Sequence, residues 1–208
     1  SEIAQRCFRY LEEKGIEGPY SVYDPCCGGA YLLTSIALLH GQRIRKLFAS
    51  DVNSEMLETA ENNLSLLTKA GLQTRENQIR QLYERYQKDS HAEALKSVRT
   101  FYDQIRGFHF DQIHCFKHDI TSGVPLAGQL PQIHMVITDL PYGELTDWSS
   151  KAANPLETFF EHLYPILNHP SSIIAVIADK KQKLKHDQYK KVGFFKIGKR
   201  QVGLFEPL

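Results

Sequence analysis

Tyr20-Ser21-Val22-Tyr23-Asp24-Pro25-Cys26-Cys27-Gly28-Gly29-Ala30 followed by Tyr31-Leu32-Leu33-Thr34-Ser35-Ile36-Ala37-Leu38-Leu39-His40 reads as a strand, a tight turn and a helix. Aromatic and branched residues run into Asp24, Pro25 and the glycines stop them, and ten mostly apolar residues suit the helix. The same alternation extends to either side. Ile3, Cys7, Phe8 and Leu11 make one face of a short helix ending at Gly15. Ile44 to Val52 is a second strand closing on Ser50-Asp51-Val52, and Asn53 or Ser54 caps a helix with Met56, Leu57, Ala60, Leu64 and Leu67 on one face. Ile113–Phe116 and Met135–Thr138 are buried parallel strands. Asn154-Pro155 opens a helix with Leu156, Phe159, Phe160 and Leu163 inward. Ser172–Ala178 is a fifth strand, and Phe194–Gly198 with Gln201–Phe205 form a closing hairpin. Repeated strand–helix alternation predicts an α/β fold with a mostly parallel, doubly wound sheet, right-handed crossovers and a C-terminal antiparallel hairpin. Between Thr74 and Arg106 two helical patterns appear (Ile79, Leu82, Tyr83, Tyr86, then Leu95, Val98, Tyr102, Ile105) that the alternation does not need. They predict a helical insertion over about 74–107.

The chain has 208 residues, enough for one α/β domain spanning 1–208 and short for two. Its 42% apolar and 24% charged residues are ordinary for a soluble globular protein. No apolar run approaches the roughly 18–20 residues of a membrane span. Ser1 to Arg6 lack the order of a secretory signal, so a cytoplasmic protein is expected, without a membrane partner and as a monomer. Cys7, Cys26, Cys27 and Cys115 contain no C-x-x-C pair and are expected to be reduced. His109, His114 and His118 around Cys115 match no common ligand spacing, so no metal is expected. The net charge of +1 carries no nucleic-acid signature, but Lys180 to Arg200 holds nine basic residues against Asp187 alone. Taken alone, that run is also what a solvated lysine-rich loop looks like.

In open α/β sheets ligands bind beyond the carboxyl ends of the strands, and four such ends carry polar residues here. In Asp24-Pro25-Cys26-Cys27-Gly28-Gly29-Ala30-Tyr31 small residues let backbone approach a ligand, and the amides of the next helix favour its carboxylate. A dinucleotide fingerprint would need glycines where Ala30 and Leu33 stand, which disfavours a dehydrogenase. Asp51, followed by Val52, suits the hydroxyls of a ribose, or equally the start of a helix. Asp119 falls where an adenine amino group would lie.

Thr138-Asp139-Leu140-Pro141-Tyr142-Gly143, after the apolar Met135-Val136-Ile137, resembles the (Asp/Asn)-Pro-Pro-(Tyr/Phe) motif of methyltransferases that act on exocyclic amines of bases. An aryl amine is a poor nucleophile because its lone pair is delocalised into the ring. Asp139 and the Leu140 carbonyl can each accept an N–H bond, fixing the amine and favouring a pyramidal nitrogen. Tyr142 would stack on the extruded base, and Pro141 stiffens the turn. Leu140 replaces the proline usual in adenine enzymes, which favours a guanine-type or otherwise atypical member. The tetrapeptide alone would also serve as a plain turn closing a strand.

Together these segments resemble the avilamycin-resistance 23S rRNA methyltransferase family. The resemblance rests on Asp24 to Gly28, Tyr31 to Thr34, Leu38 to His40, Ala49 to Val52, Ala60, Asn63-Leu64 and Ala70 to Leu72. It continues through the helical insertion, Thr138 to Glu144, Trp148, Ile197-Gly198 and Arg200. Ala30 stands where the family has glycine, and Asp147-Trp148-Ser149 differs from the family's version. The resemblance implies a Rossmann-like class I methyltransferase fold, S-adenosylmethionine as cofactor, and guanine N2 of 23S rRNA or the large ribosomal subunit as target. It also implies a role in resistance to ribosome-targeting antibiotics. The cofactor would then rest on Asp24, Cys26, Cys27, Gly28, Ala30, Tyr31, Asp51, Val52, Asp119 and Asp139, with Asp139, Leu140, Pro141 and Tyr142 at the transfer site. An RNA substrate turns Lys180, Lys181, Lys183, Lys185, Arg43 and Arg45 into candidate phosphate contacts. Other readings are an adenine-N6 nucleic-acid methyltransferase, a small-molecule methyltransferase, and a non-catalytic RNA-binding module with a vestigial cofactor pocket.

Overall fold

The computed structural model describes residues 2–122, 124–141 and 154–208. Seven strands form one sheet: β1 (Tyr20–Asp24), β2 (Ile44–Asp51), β3 (Gln112–Lys117), β4 (Met135–Asp139), β5 (Ile173–Asp179), β6 (Tyr189–Ile197) and β7 (Arg200–Pro207). Their spatial order is β3-β2-β1-β4-β5-β7-β6. The first five are parallel, and β7 enters antiparallel between β5 and β6. The order reverses between β1 and β4, so the chain leaves their carboxyl ends in opposite directions and opens a crevice there. All five residues of β1 are buried, as expected of a central strand covered on both faces.

Helices α1 (Glu2–Glu13), α2 (Tyr31–His40) and α3 (Ser54–Ser65) cover one face, where Phe8, Leu33, Ile36 and Leu57 pack with Val22, Leu47, Ile137 and Ala175. Asn53 caps α3 by accepting from the amides of Glu55 and Met56. Two more helices, α4 (Lys69–Tyr86) and α5 (Asp89–Ile105), form the insertion, with Leu72, Ile79, Val98 and Ile105 buried. It begins at Lys69, five residues before the periodicity shows, because Thr68 caps α4 through the amide of Gly71. Gly71 is obligatory for a steric reason: a Cβ there would lie 2.0 Å from the Ser65 carbonyl oxygen. Helix α6 (Pro155–Leu163), capped by Asn154, covers the other face with Phe159 and Phe160 against Tyr23, Val136 and Val176. Strict alternation stops there. Among the described residues, the β3–β4 and β5–β6 connections contain no helix, and Ile120, Leu126, Ile133 and Leu184 complete the layer instead.

Candidate active site at the carboxyl ends of the strands

The turn after β1 is built from backbone. The amide of Cys27 donates to the Ser50 carbonyl at 3.0 Å, and the amide of Ala30 donates to the Cys27 carbonyl at 2.7 Å. From α3, the Asn63 side chain donates to the Gly29 carbonyl at 2.8 Å, locking the turn onto its neighbour. Gly28 has φ +51° and nothing within 4 Å of where a Cβ would project, so a ligand can approach its backbone. Ala30, the N-cap of α2, adopts the left-handed φ of 55° that an L-residue takes only against strain. That is the place where the family's glycine would sit without cost. Tyr31 is largely exposed beside the turn, its ring against the position that a side chain on Gly29 would fill.

Carboxylates converge on this turn. Asp51 accepts from the amide of Gly28 at 2.8 Å through Oδ2 and from the amide of Asn53 at 2.9 Å through Oδ1. Asp51 therefore supports both the turn and the start of α3, and each of its oxygens keeps a further lone pair. Val52 beside it is exposed. Asp119, two residues beyond β3, is engaged with the amide and hydroxyl of Thr121 at 2.8 and 2.6 Å through one oxygen. Asp24 is buried, accepting from the hydroxyl of Thr138 at 2.7 Å and from the amide of Cys26 at 3.2 Å. Burial, with the charges of Asp139 and Asp51 nearby, raises its carboxyl to about 7 against the hydrogen bonds it accepts. Burial pushes the Cys26 thiol upward, and the hydrogen bond with Cys115, followed by burial, pushes Cys27 upward, so both favour the neutral thiol.

At the end of β4, the Leu140 side chain is buried and its amide donates to the Ile177 carbonyl at 2.9 Å. This explains the leucine: a proline has no N–H to extend the β4–β5 ladder by that one bond. Asp139 forms an ion pair with Arg200 through Oδ2, while its Oδ1 is buried and without a hydrogen-bond partner among the described residues. Sequence reading did not place Arg200 in the site. It lies 61 positions from Asp139 and arrives only because β7 inserts beside β5, with Arg200 level with Asp179. Thr138 and Asn63 were likewise quoted without a role. Tyr142 and Trp148 fall outside the described residues.

The basic candidates divide by topology. Lys180 and Lys181 follow β5 at the site's edge, and the return of β6 brings Lys196 and Lys199 back to that edge beside Arg200. The intervening loop runs down the α6 face, so Lys183 and Lys185 line a groove of about 850 Å³ against Glu157 and Glu161. Lys185 lies 3.6 Å from Asp187. Arg43 and Arg45 do not reach the site. They lie at the amino end of β2, where Arg43 pairs with Glu12 and stacks 4.1 Å from the Phe8 ring, and Arg45 lies 3.8 Å from Asp111. Their charge stabilises the far edge.

A parallel sheet reversing between β1 and β4, an antiparallel strand inserted before β6, and acidic strand ends around a glycine turn define a class I methyltransferase fold. Among solved structures at low identity, a ribosomal protein L11 methylase from Lactobacillus delbrueckii subsp. bulgaricus shares that fold, with a TM-score of 0.53 and 12% identity over 100% of this chain and 79% of that one. A family model described as rRNA methyltransferase AviRa matches residues 1–200. The 23S rRNA (guanine(2535)-N(1))-methyltransferase of Streptomyces viridochromogenes is 35% identical over 212 residues, covering 98% of this chain and 81% of the relative. A 1.5 Å structure of the rRNA methyltransferase aviRa from Streptomyces viridochromogenes superposes with a TM-score of 0.79 and 33% identity over 98% of this chain and 83% of that one. The chain belongs to the AviRa family of rRNA methyltransferases.

Proposed function

We propose that this protein transfers the methyl group of S-adenosylmethionine to ring nitrogen N1 of a guanine in 23S rRNA. The observation that carries the reading is the gathering of Asp24, Asp51 and Asp139 around an open glycine turn in a member of this family. The cofactor fits those residues. Its sulfonium and ammonium are positive, and among the described residues Asp24 and Asp51 at the turn form no ion pair, whereas Asp139 pairs with Arg200. Gly28 admits its methionine end, Asp51 has lone pairs for the ribose hydroxyls, and Val52 is an apolar wall for the adenine. When bound, the cofactor supplies a methyl group on a good leaving group, so positioning provides most of the rate.

The sequence expectation was the exocyclic N2. The name of the Streptomyces relative specifies N1 of guanine, which favours the ring nitrogen. N1 and N2 are both bonded to C2 and both present an N–H on the same edge of the base. Asp139 and the Leu140 carbonyl are therefore suited to accept the two together. N1 gains its lone pair only when its proton leaves, and Asp139 Oδ1 is an acceptor for that proton. Lys180 and Lys181 are the proposed phosphate contacts. A methyl group on that edge changes a site that a ribosome-binding antibiotic reads, which gives resistance as the biological role.

The test is incubation of 23S rRNA with labelled cofactor, digestion, and identification of the nucleoside. 1-Methylguanosine is expected. N2-methylguanosine moves the target to the exocyclic amine, N6-methyladenosine overturns the guanine reading, and no transfer by a protein that binds rRNA leaves the non-catalytic module.

A further inference from the structure

Arg200 reaches the site from β7, which lies between β5 and β6 and carries none of the other site motifs. β7 runs antiparallel to β5, and Arg200 stands level with Asp179 at the carboxyl edge. Side chains alternate along a strand, so Arg200 shares its face of the sheet with Val202 and Leu204, the face where Ile137 also packs. Asp139 is two residues after Ile137 and points the same way. The guanidinium meets it through Oδ2 alone. The second oxygen, Oδ1, is shut off from solvent and has no hydrogen-bond partner among the described residues.

A carboxylate held by one oxygen and unsatisfied at the other is oriented for a donor not yet present. Resting on the proposed methyl transfer to guanine, we infer that Arg200 is the positioning residue of that reaction: it clamps Asp139 by Oδ2 so that Oδ1 is aimed at the base's N–H. The clamp has an electrostatic side too. Burial pushes the Asp139 carboxyl above its ordinary range, and the guanidinium works against that push. Among the described residues, Asp24 at the end of β1 couples to Asp139 by repulsion of like charge, and Asp179 at the end of β5 stands level with Arg200. Burial favours the protonated form of Asp139, and the Arg200 guanidinium favours the anion that can accept a proton.

Arg200→Gln and Arg200→Lys test this. In the Gln variant, kcat on 23S rRNA should fall at least about tenfold at neutral pH with KM for the RNA little changed, the pattern of an interaction lost at the reacting centre. The acidic limb of its kcat–pH profile should move to higher pH, and the Lys variant should restore that limb toward wild type. S-adenosylhomocysteine binding by both variants reports that the fold is intact. A raised KM with unchanged kcat would make Arg200 an RNA contact instead, and an unmoved acidic limb would also overturn the inference. The carboxyl titration of Asp139, followed by carbon-13 NMR and assigned with Asp139→Asn, separates this from the reaction itself. If wild type transfers no methyl group, the proposed function fails. If the titration does not rise in Arg200→Gln, the clamp fails whatever the reaction.

Discussion

Thr138 donates its hydroxyl to Asp24 Oδ1 at 2.7 Å in a place closed to solvent, so the ends of β1 and β4 are fastened to each other side chain to side chain. The ends of β1 and β4, and with them the glycine turn and the start of the Thr138–Pro141 segment, are therefore coupled to each other. Thr138→Val keeps the shape and removes the donor, leaving a buried acceptor short of a partner. It should cost about 1–3 kcal/mol and weaken cofactor affinity as well, read by denaturant unfolding and calorimetry. A stability loss with unchanged affinity would show that the bond serves the fold alone.

Asp24 makes stability depend on pH. Its carboxyl is raised to about 7 from an ordinary 3.8, so across that window the folded chain holds a proton that the unfolded chain has released. Stability from this group is greatest at the acidic end and falls as pH rises, by on the order of 4 kcal/mol in total. Asp24→Asn keeps an oxygen to accept from Thr138 and Cys26 and should remove that slope. Urea unfolding at several pH values gives the comparison, and an unchanged slope in Asp24→Asn would assign it to another group. Because a cationic ligand favours the anion, cofactor binding near neutral pH should also release a proton in wild type and none in the variant.

Glu206 contributes with the opposite sign. Burial alone would raise its carboxyl, but hydrogen bonds from Lys14, Tyr10 and Lys190 hold it down to about 2. The stability it brings is present above its ordinary value of 4.5 and is lost as pH falls through about 2. Glu206→Gln should therefore lower Tm more at neutral pH than in strong acid. An equal loss at both would mean that the cluster tying α1 to β7 is held by shape and not by charge.

Ala30 sets three small terms against one another. Mutation to glycine relieves about 1–2 kcal/mol of left-handed strain, loses about 0.8 kcal/mol of buried methyl, and adds about 0.5–1 kcal/mol of unfolded-state freedom. Ala30→Gly should thus be neutral within about 1 kcal/mol, whereas Ala30→Val, branched at the same φ of 55°, should lose more than about 2 kcal/mol. Thermal unfolding of the pair decides it, and a large loss in Ala30→Gly would show that the methyl packs more than it strains.

Replacing Lys180 and Lys181 by Gln should weaken 23S rRNA binding and reduce the slope of log affinity against log salt by roughly 1.5, about 0.7–0.9 per lost phosphate contact. Gln at Arg43 and Arg45, on the opposite edge, should leave the slope alone. The reverse result would put the RNA on the far edge of the sheet.

The parts of the fold that local chemistry specifies were legible in the residues. Tyr31–His40 is a helix over its full extent, Asn154 and Pro155 do cap and open α6, and the closing hairpin is where its two apolar runs put it. Lys69 to Leu72 hid because a glycine in a first turn looks like a boundary until its neighbour's carbonyl is seen 2.0 Å from the missing Cβ. At the site, Asp24, Asp51 and Asp139 could be named because each ends a strand. Arg200 could not, since its partner is chosen by strand order, a long-range property with no local period. The lysine run misled in the same way. It is contiguous in sequence, but the loop to β6 carries its middle away from the edge where its two ends lie.

The insertion of β7 between β5 and β6 has a consequence for how the protein is born. Among the described strands it comes last in the sequence, yet its place is inside the sheet, so β5 and β6 keep open edges until it arrives. Arg200 comes with it. A nascent chain from which β7 had not yet emerged would have the glycine turn and the end of β4 in hand and still lack the cation that pairs with Asp139, so the site is complete only once β7 has joined the sheet.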